Sequence, residues 1–290
     1  MASLTRSGLA TTRRLEVHAT RDRAALLAFL ERDRLFAAYA IADMDDAEFP
    51  RTRWGMALEA GRPVAVVMEY RGISPQHLFV MGDPEGIGGI LREVIRTRLA
   101  YLATMPDSVP TLVERYRVDP PTDMIRMVVD RAAFRPVIGD TVRLDAGDTR
   151  HLNRLYELGL TSWLPPEAVA AGIYFGVRRG TRLIAAAGTH VISPTYGLAA
   201  VGNVYTNRDY RGQGLAKVVT SAVTTELLGM LPEVVLNVRA DNPPALAAYR
   251  ALGYREHTHF EERLVARRGS LWDSIVGPIR QYLTRPRSDA

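Results

Sequence analysis

Apolar and polar positions alternate in short strand-like runs broken by helix-like stripes, and the order repeats. In the second half, Ile173–Arg178 reads as a strand ending in the hairpin signal Arg179-Gly180-Thr181. Leu183–Ile192 is a second apolar strand, closed by Ser193-Pro194-Thr195-Tyr196-Gly197, and Ala199–Thr206 is a third. From Gly212 to about Leu228 the residues Leu215, Val218, Val219, Ala222, Val223 and Leu227 recur on one helical stripe. Val234–Val238 reads as a buried strand and Asn242–Leu252 as a helix, with Asn242 suited to its N-cap, Pro243 to its first position and Gly253 to its stop. A last strand pair is expected around His257–Val265. Upstream, Leu152–Leu160 has helical character and Pro165-Pro166-Glu167 begins another short turn.

The first half follows part of the same plan. Ala24–Glu31 and Leu35–Ile41 read as helices, and Trp54–Glu59, a Gly61 turn and Val64–Tyr70 as a hairpin. Gln76–Met81 leads into Gly82-Asp83-Pro84-Glu85-Gly86-Ile87-Gly88-Gly89, expected to be a glycine turn before a helix at Ile90–Arg98. Ala100–Ala103, Val109–Arg115 and Met124–Val129 complete strand, helix, strand. The repetition implies a tandem duplication, with a boundary in Phe134–Thr141 where Pro136 and Gly139 interrupt the pattern. The expected division is a loose N-terminus at 1–14, a first domain at 15–135, a second at 141–268 and a tail at 269–290. The fold class is α/β (α+β) with a mixed sheet.

Chemistry concentrates in Tyr205-Thr206-Asn207-Arg208-Asp209-Tyr210-Arg211-Gly212-Gln213-Gly214-Leu215-Ala216, the end of a strand, a basic glycine loop and a first helical turn. Two glycines allow close backbone approach, Arg211 brings a fixed positive charge, and the helix start offers unpaired N–H groups; together they suit a pyrophosphate. A dinucleotide fingerprint would need Gly or Ala where Lys217 stands, and a P-loop would need Gly-Lys-Ser/Thr where Gly214-Leu215-Ala216 stands. An ordinary tight turn would explain the loop alone, but not the loop together with Tyr249.

The two segments resemble the GNAT superfamily of acyl-CoA-dependent N-acetyltransferases. Its phosphate loop runs Arg/Gln-x-x-Gly-x-Gly/Ala, matched by Arg211, Gly214 and Ala216. Its later helix runs Asn-x-x-Ala-x-x-x-Tyr-x-x-x-Gly-Phe/Tyr, matched by Asn242, Ala245, Tyr249, Gly253 and Tyr254. The resemblance implies two tandem GNAT-like domains, the second intact, with acetyl-CoA as co-substrate. It implies that Arg211, Gly212, Gln213, Gly214, Leu215 and Ala216 hold the pyrophosphate. Val204, Tyr205 and Thr206, at the end of the family's fourth strand, would hold pantetheine and the thioester oxygen through their backbone. Asn242, Ala245 and Tyr249 would complete the acyl-CoA site. At the corresponding place the first half offers Asp83 and Glu85 without an arginine. Carboxylates there repel a diphosphate, and a helix N-terminus returns only about 0.3–1 kcal/mol. The first half is therefore expected to pack against the second and shape the acceptor side.

Composition narrows the partners. At 290 residues, 47% hydrophobic and 24% charged, the chain has the make-up of a soluble globular protein. All but one of its 37 basic residues are arginine, the exception being Lys217, and they are spread out apart from an excess in 263–287. No basic run interleaved with aromatics points to nucleic acid. With no cysteine there is no disulfide, thiolate metal site or cysteine nucleophile. His257, His259 and Glu261 would alternate onto one strand face, but without a carboxylate pair no metal is expected. No apolar run reaches the roughly 18 residues needed to span a bilayer, and Met1–Arg14 has no secretory core, so a cytoplasmic protein is the default. A homodimer is compatible with all of this.

Acyl transfer from a thioester to an amine needs an oxyanion stabilised, a proton removed from the amine and a proton given to the departing thiolate. Tyr249 is the candidate acid, since a phenol with pKa near 10 can protonate a thiolate. The base is open. Relatives often carry a glutamate on the fourth strand, where this chain has Asn203 and Tyr205 on one face; a water chain, His190 on the preceding strand or an already neutral amine are the alternatives. The expected function is N-acetylation of a small-molecule or peptide amine. A non-catalytic acyl-CoA sensor is the second reading, favoured by the missing glutamate and opposed by Tyr249.

Overall fold

The structure, a computed structural model, describes residues 14–158 and 163–269. In the first half these fold as β1 (Leu15–Thr20), α1 (Arg23–Leu30), α2 (Ala38–Ala42), β2 (Thr52–Glu59), β3 (Arg62–Tyr70), β4 (Gln76–Gly82), α3 (Pro84–Glu93), β5 (Leu99–Thr104), α4 (Val109–Val113), β6 (Tyr116–Val118) and β7 (Thr122–Asp130). The second half gives β8 (Val142–Leu144), α5 (Thr149–Leu155), α6 (Pro166–Ala171), β9 (Tyr174–Arg179), β10 (Arg182–Ser193), β11 (Leu198–Thr206), α7 (Leu215–Met230), β12 (Glu233–Arg239), α8 (Pro243–Ala251) and β13 (Arg255–Arg267). The expected loose N-terminus and C-terminal tail lie almost wholly outside the described residues, as do Gly159 and Leu160 of the expected helix there. Among the described residues no helix is long and apolar enough to cross a membrane.

All thirteen strands join one mixed sheet in the order β1-β2-β3-β4-β5-β13-β7-β12-β11-β10-β9-β8, with β6 on β13. The halves exchange strands at its centre. β7, the last strand of the first half, pairs antiparallel with β12, placing Arg126 opposite Asn237. β13, the last strand of the second half, pairs antiparallel with β5, placing Arg263 opposite Leu102. The two exchanged strands also pair with each other, Arg126 opposite Thr258. The expected strand pair at His257–Val265 is therefore one long strand whose partners all come from the first half.

Alternation along the strands separates the cores. Leu198, Ala200 and Val235 turn to the face covered by α1 and α2, where Leu26, Phe36, Ile41, Met124 and Phe260 are buried with them. Ala199, Val201, Val234 and Leu236 turn to the other face, against Val219, Val223 and Leu227 of α7 and Leu246 and Tyr249 of α8. On that same side of the first half α3 packs Ile87, Ile90 and Leu91 on Ala65, Val67, Leu78 and Val80. The α1–α2 layer thus draws residues from both halves. Arg34 ties it further, donating to Glu233 at 3.0 Å and to the carbonyl of Tyr196, while His257 meets Asp33 at 2.7 Å.

Two expected helices change. The helix expected over Leu35–Ile41 is a single turn at Ala38–Ala42, preceded by Asp33, whose carboxylate accepts from the Phe36 N–H at 3.1 Å. The helix expected at Ile90–Arg98 runs instead over Pro84–Glu93, so Gly86, Gly88 and Gly89 lie inside it and not in a loop. Asp83 is its N-cap and Pro84 its first residue, the preferred chemistry for those two positions.

Because each half completes the other's sheet, thermal or urea unfolding should show one cooperative transition. Residues 1–138 expressed alone should show none, since β5 would lose β13 and β7 would lose both neighbours. Two resolved transitions in the whole chain would count against this coupling.

Candidate functional site

The basic loop leaves β11 at Thr206 and enters α7 at Leu215. Gly212 and Gly214 have φ of +75° and +76°, the left-handed region that side chains disfavour, and a Cβ on either would meet no atom within 4 Å. The space in front of the loop is open. Gly214 is the N-cap of α7 and supplies no side-chain acceptor, so the first N–H groups of the helix face that space without a cap. Gly212, Gln213 and Gly214 are exposed. Behind them, Arg211 donates weakly to the Thr206 carbonyl at 3.4 Å, and its buried Nη2 and the buried Thr206 Oγ1 have no partner. Uncapped helical amides, a cation with an orphaned donor and room for a ligand fit a diphosphate. The start of α3 is the contrast. There the Asp83 carboxylate accepts from the Gly86 N–H at 2.9 Å, placing a negative charge where an anion would sit.

β11 and β12 are parallel neighbours only from Leu198–Glu233 to Val201–Leu236. Beyond that β11 runs on to Thr206 beside β10, and β12 to Arg239 beside β7, so the two strands part. At the parting point Asn203 has φ +52°, and the register with β10 slips between Ala186 and Gly188. This bulge breaks the simple alternation that would place Asn203 and Tyr205 together. Val204, Tyr205 and Thr206 form the free arm of the V. Ala245 and Asn242 lie at the start of α8, with Asn242 Oδ1 accepting from the Ala245 N–H at 3.2 Å.

Tyr249, two residues from the end of α8, is 6% exposed in the α7–α8 core, its ring tilted at 60° to Tyr254 with centroids 6.1 Å apart. The Tyr254 hydroxyl bonds Thr224 at 2.7 Å, whereas Tyr249's has no protein partner among the described residues. Desolvation raises the Tyr249 pKa above that of a free phenol, so the group stays protonated across the neutral range and is a weaker acid than a solvated tyrosine.

On the opposite face of the sheet the parting point meets side chains of both halves. His190 on β10 packs over Gly202, where any Cβ would lie 2.3 Å from its ring. Its Nδ1 is 3.0 Å from the Tyr39 hydroxyl of α2, and its Nε2 is 3.3 Å from Asn203 Oδ1. Asn203 Nδ2 donates to the Tyr174 hydroxyl at 3.0 Å, and Tyr174 donates in turn to the Thr189 carbonyl. Tyr156 donates to the Asn203 carbonyl at 2.8 Å, fixing the bulge. His190 is exposed to solvent although protein packs around its ring. Desolvation, with the nearby charge of Arg126, depresses its pKa despite the bond to Asn203. His77 of β4 lies within electrostatic reach of His190 and is pushed down to about 4, mainly by desolvation.

Beneath Tyr39 lies Arg126, 3% exposed, its guanidinium carbon 4.8 Å from the Tyr39 ring centroid and 5.5 Å from that of Phe260. Its Nε and Nη1 have no hydrogen-bond partner among the described residues. Glu262 of β13 feels this charge, but burial is the larger influence and raises its pKa.

Tyr39, Arg126, Tyr156, Tyr174 and Glu262 escape a reading along the chain. The only local signal is Gly202-Asn203 inside an apolar strand, a mark of a bulge or a close approach. His257 and His259 face Asp33 and Glu256 separately, and among the described residues no three metal-ligating side chains converge.

Residues 144–254 match the acetyltransferase (GNAT) family, the stretch that holds the basic loop, the V and Tyr249. The mycothiol acetyltransferase of Nocardioides sp. is 26% identical over 251 residues, covering 79% of this chain and 82% of that protein. Among solved structures, a Drosophila protein superposes with TM-score 0.65 at 15% identity, covering 89% of this chain and all of that one. A tandem GNAT protein from the clavulanic acid biosynthesis pathway superposes with TM-score 0.56 at 17% identity, covering 89% and 99%. At these identities the structural likenesses speak to the fold.

The loop geometry sets one expectation. Acetyl-CoA at a hundredfold excess over Kd should stabilise the fold by about 2.7 kcal/mol, and Gly214→Asp should abolish the resulting rise in Tm. Calorimetric titration should give one acetyl-CoA per chain. Two per chain, or a mutant with the full thermal shift, would contradict the assignment of the loop and of the Asp83-capped helix.

Proposed function

The chain is a GNAT-superfamily protein whose activity is acyl transfer, and from that premise we propose that it moves an acetyl group from acetyl-CoA to the amine of a small molecule or peptide by direct attack. The observation that carries this reading is the open, uncapped N-terminus of α7 behind Gly212 and Gly214, beside the Arg211 guanidinium whose buried Nη2 has no partner among the described residues. In this reading Arg211–Ala216 hold the pyrophosphate, Leu215 and Ala216 through the first helical amides. The backbone of Val204–Thr206, freed from β12, binds the pantetheine arm and orients the thioester, while Ala245 leaves room for it and Asn242 fixes the start of α8. Residues 141–268 carry the acyl-CoA site, and residues 15–135 contribute the α1–α2 layer that covers the acceptor side.

The V has two sides, and the groups divide between them. Tyr249 belongs to the α7–α8 core, on the side of the phosphate loop. His190 and Tyr39 lie on the α1–α2 side. A thioester lying in the V would meet a proton donor from one face and the amine from the other. That separation suits direct transfer, because proton removal from the amine and proton delivery to sulfur occur at different atoms. A sensor that only bound acyl-CoA would have no use for the His190 network across the sheet.

Tyr249→Phe keeps the ring and its packing on Tyr254, so stability should fall by no more than about 1 kcal/mol. Loss of an acid should lower kcat by about 10²–10⁴, with acetyl-CoA affinity close to wild type. The measurement is kcat and acetyl-CoA affinity with the best amine from a panel scored by time-dependent release of free CoA. Turnover at the wild-type rate would remove Tyr249 from the chemistry. No CoA release with any amine, despite tight acetyl-CoA binding, would overturn the transferase reading itself.

A further inference from the structure

We propose that Tyr39 of the first half and His190 of the second form a two-residue proton relay that accepts the proton of the acceptor amine. This rests on the acyl-transfer reading above. The argument begins with valence. Asn203 Nδ2 is committed to the Tyr174 hydroxyl at 3.0 Å, so Oδ1 is the atom turned to His190 Nε2, 3.3 Å away. An amide oxygen only accepts, so Nε2 carries the hydrogen and Nδ1 carries the lone pair. That lone pair faces the Tyr39 hydroxyl at 3.0 Å, which therefore donates to it. Both ring nitrogens are occupied, and the sole basic position of His190 is reached through the oxygen of Tyr39.

The transfer balances without any further reactant. The amine nitrogen forms its bond to the acetyl carbon as the carbon–sulfur bond breaks and sulfur takes the proton of Tyr249. The surplus amine proton passes to the Tyr39 oxygen while the Tyr39 proton passes to His190 Nδ1. Once the product has left, the proton returns from Nδ1 through the Tyr39 oxygen to water, and water restores the proton that Tyr249 gave to sulfur, so both groups begin the next turnover as they began the first.

The surroundings fit a relay better than a lone base. Burial raises the Tyr39 pKa to about 12 although Arg126 opposes it, with Glu262 and Asp43 adding to the rise. A standing phenolate is thus disfavoured, and the hydroxyl can take a proton only as it gives one up. Desolvation and the Arg126 charge keep His190 neutral, ready to receive, and His77 of β4, within electrostatic reach, is likewise depressed. Arg126 under the Tyr39 ring supports any negative charge that develops on the phenol oxygen during the passage. Gly202 gives the imidazole the space it occupies, and the bulge at Asn203 turns the amide to it.

Two measurements test the relay. In an NMR titration of the His190 ring, identified by its loss in His190→Gln, Tyr39→Phe removes a donor that favours the neutral imidazole. The His190 pKa should move up in that variant, and an unchanged value would overturn the pairing. In kinetics, Tyr39→Phe and His190→Gln should each lower kcat by about 10²–10⁴ with acetyl-CoA affinity unchanged, and the double variant should be no slower than the slower single one. Wild-type kcat/KM should fall as pH drops through the depressed His190 pKa, because the charged ring cannot accept. Full turnover in Tyr39→Phe, or losses that multiply in the double variant, would overturn the relay and leave acyl transfer standing. A wild-type protein that binds acetyl-CoA but acetylates no amine would overturn both.

Discussion

The reciprocal exchange of β7 and β13 is the constraint on which the rest of the molecule depends. With β13 on β5 and β7 on β12, the two halves form one sheet with no break at its centre. Arg126 stands on β7 between Asn237 and Thr258, so a first-half cation lies inside the second half's sheet. The continuous surface lets α1 and α2 cover Leu198, Ala200 and Val235 as well as their own strands. That placement brings Tyr39 to His190. A side-by-side pair of closed domains would leave α2 with no second-half strand to cover, and Tyr39 with no imidazole to meet.

The same architecture carries opposite electrostatics at its two helix starts. α3 and α7 each follow a strand that parts from its parallel neighbour, but Asp83 caps one and Gly214 leaves the other open. A carboxylate N-cap is worth about 1 kcal/mol to a helix, and it uses the amides that an anionic ligand would need. α3 is optimised for stability, with Ile87, Ile90 and Leu91 fully buried. α7 forgoes the cap and has in front of it two glycines whose positive φ costs them little, so its first amides are left open.

Much of this was legible along the chain, for reasons that are local. Hairpins at Gly61 and Gly180, the stripe of α7, the Asn242–Pro243 start of α8 and the basic loop are written within a few residues of each other. The errors were local as well. Gly86, Gly88 and Gly89 suggested a turn, whereas Asp83-Pro84 had already marked the helix start. His257–Val265 looked like a pair because nothing in its own sequence says that its partners lie in the first half. The Tyr39–His190 contact was out of reach for the same reason: the two residues are 151 positions apart, and only the strand exchange makes them neighbours.

The two halves are thus under different demands. In the first, Asp83 and Glu85 serve the helix they begin, one as its N-cap and the other in its first turn. It has kept what lies on the other face of the sheet: α2 with Tyr39, β7 with Arg126, and β4 with His77. Of these, Tyr39 bonds His190, whose other ring nitrogen faces Asn203 at the bulge, and Arg126 and His77 lie within electrostatic reach of that imidazole. A guanidinium buried between Tyr39 and Phe260, with Nε and Nη1 unpartnered among the described residues, costs several kcal/mol unless something nearby makes use of its charge. A half retained only to complete the sheet could carry a leucine at position 126. That it carries an arginine, set under the tyrosine that bonds His190, ties the first half to the second half's chemistry and not only to its stability.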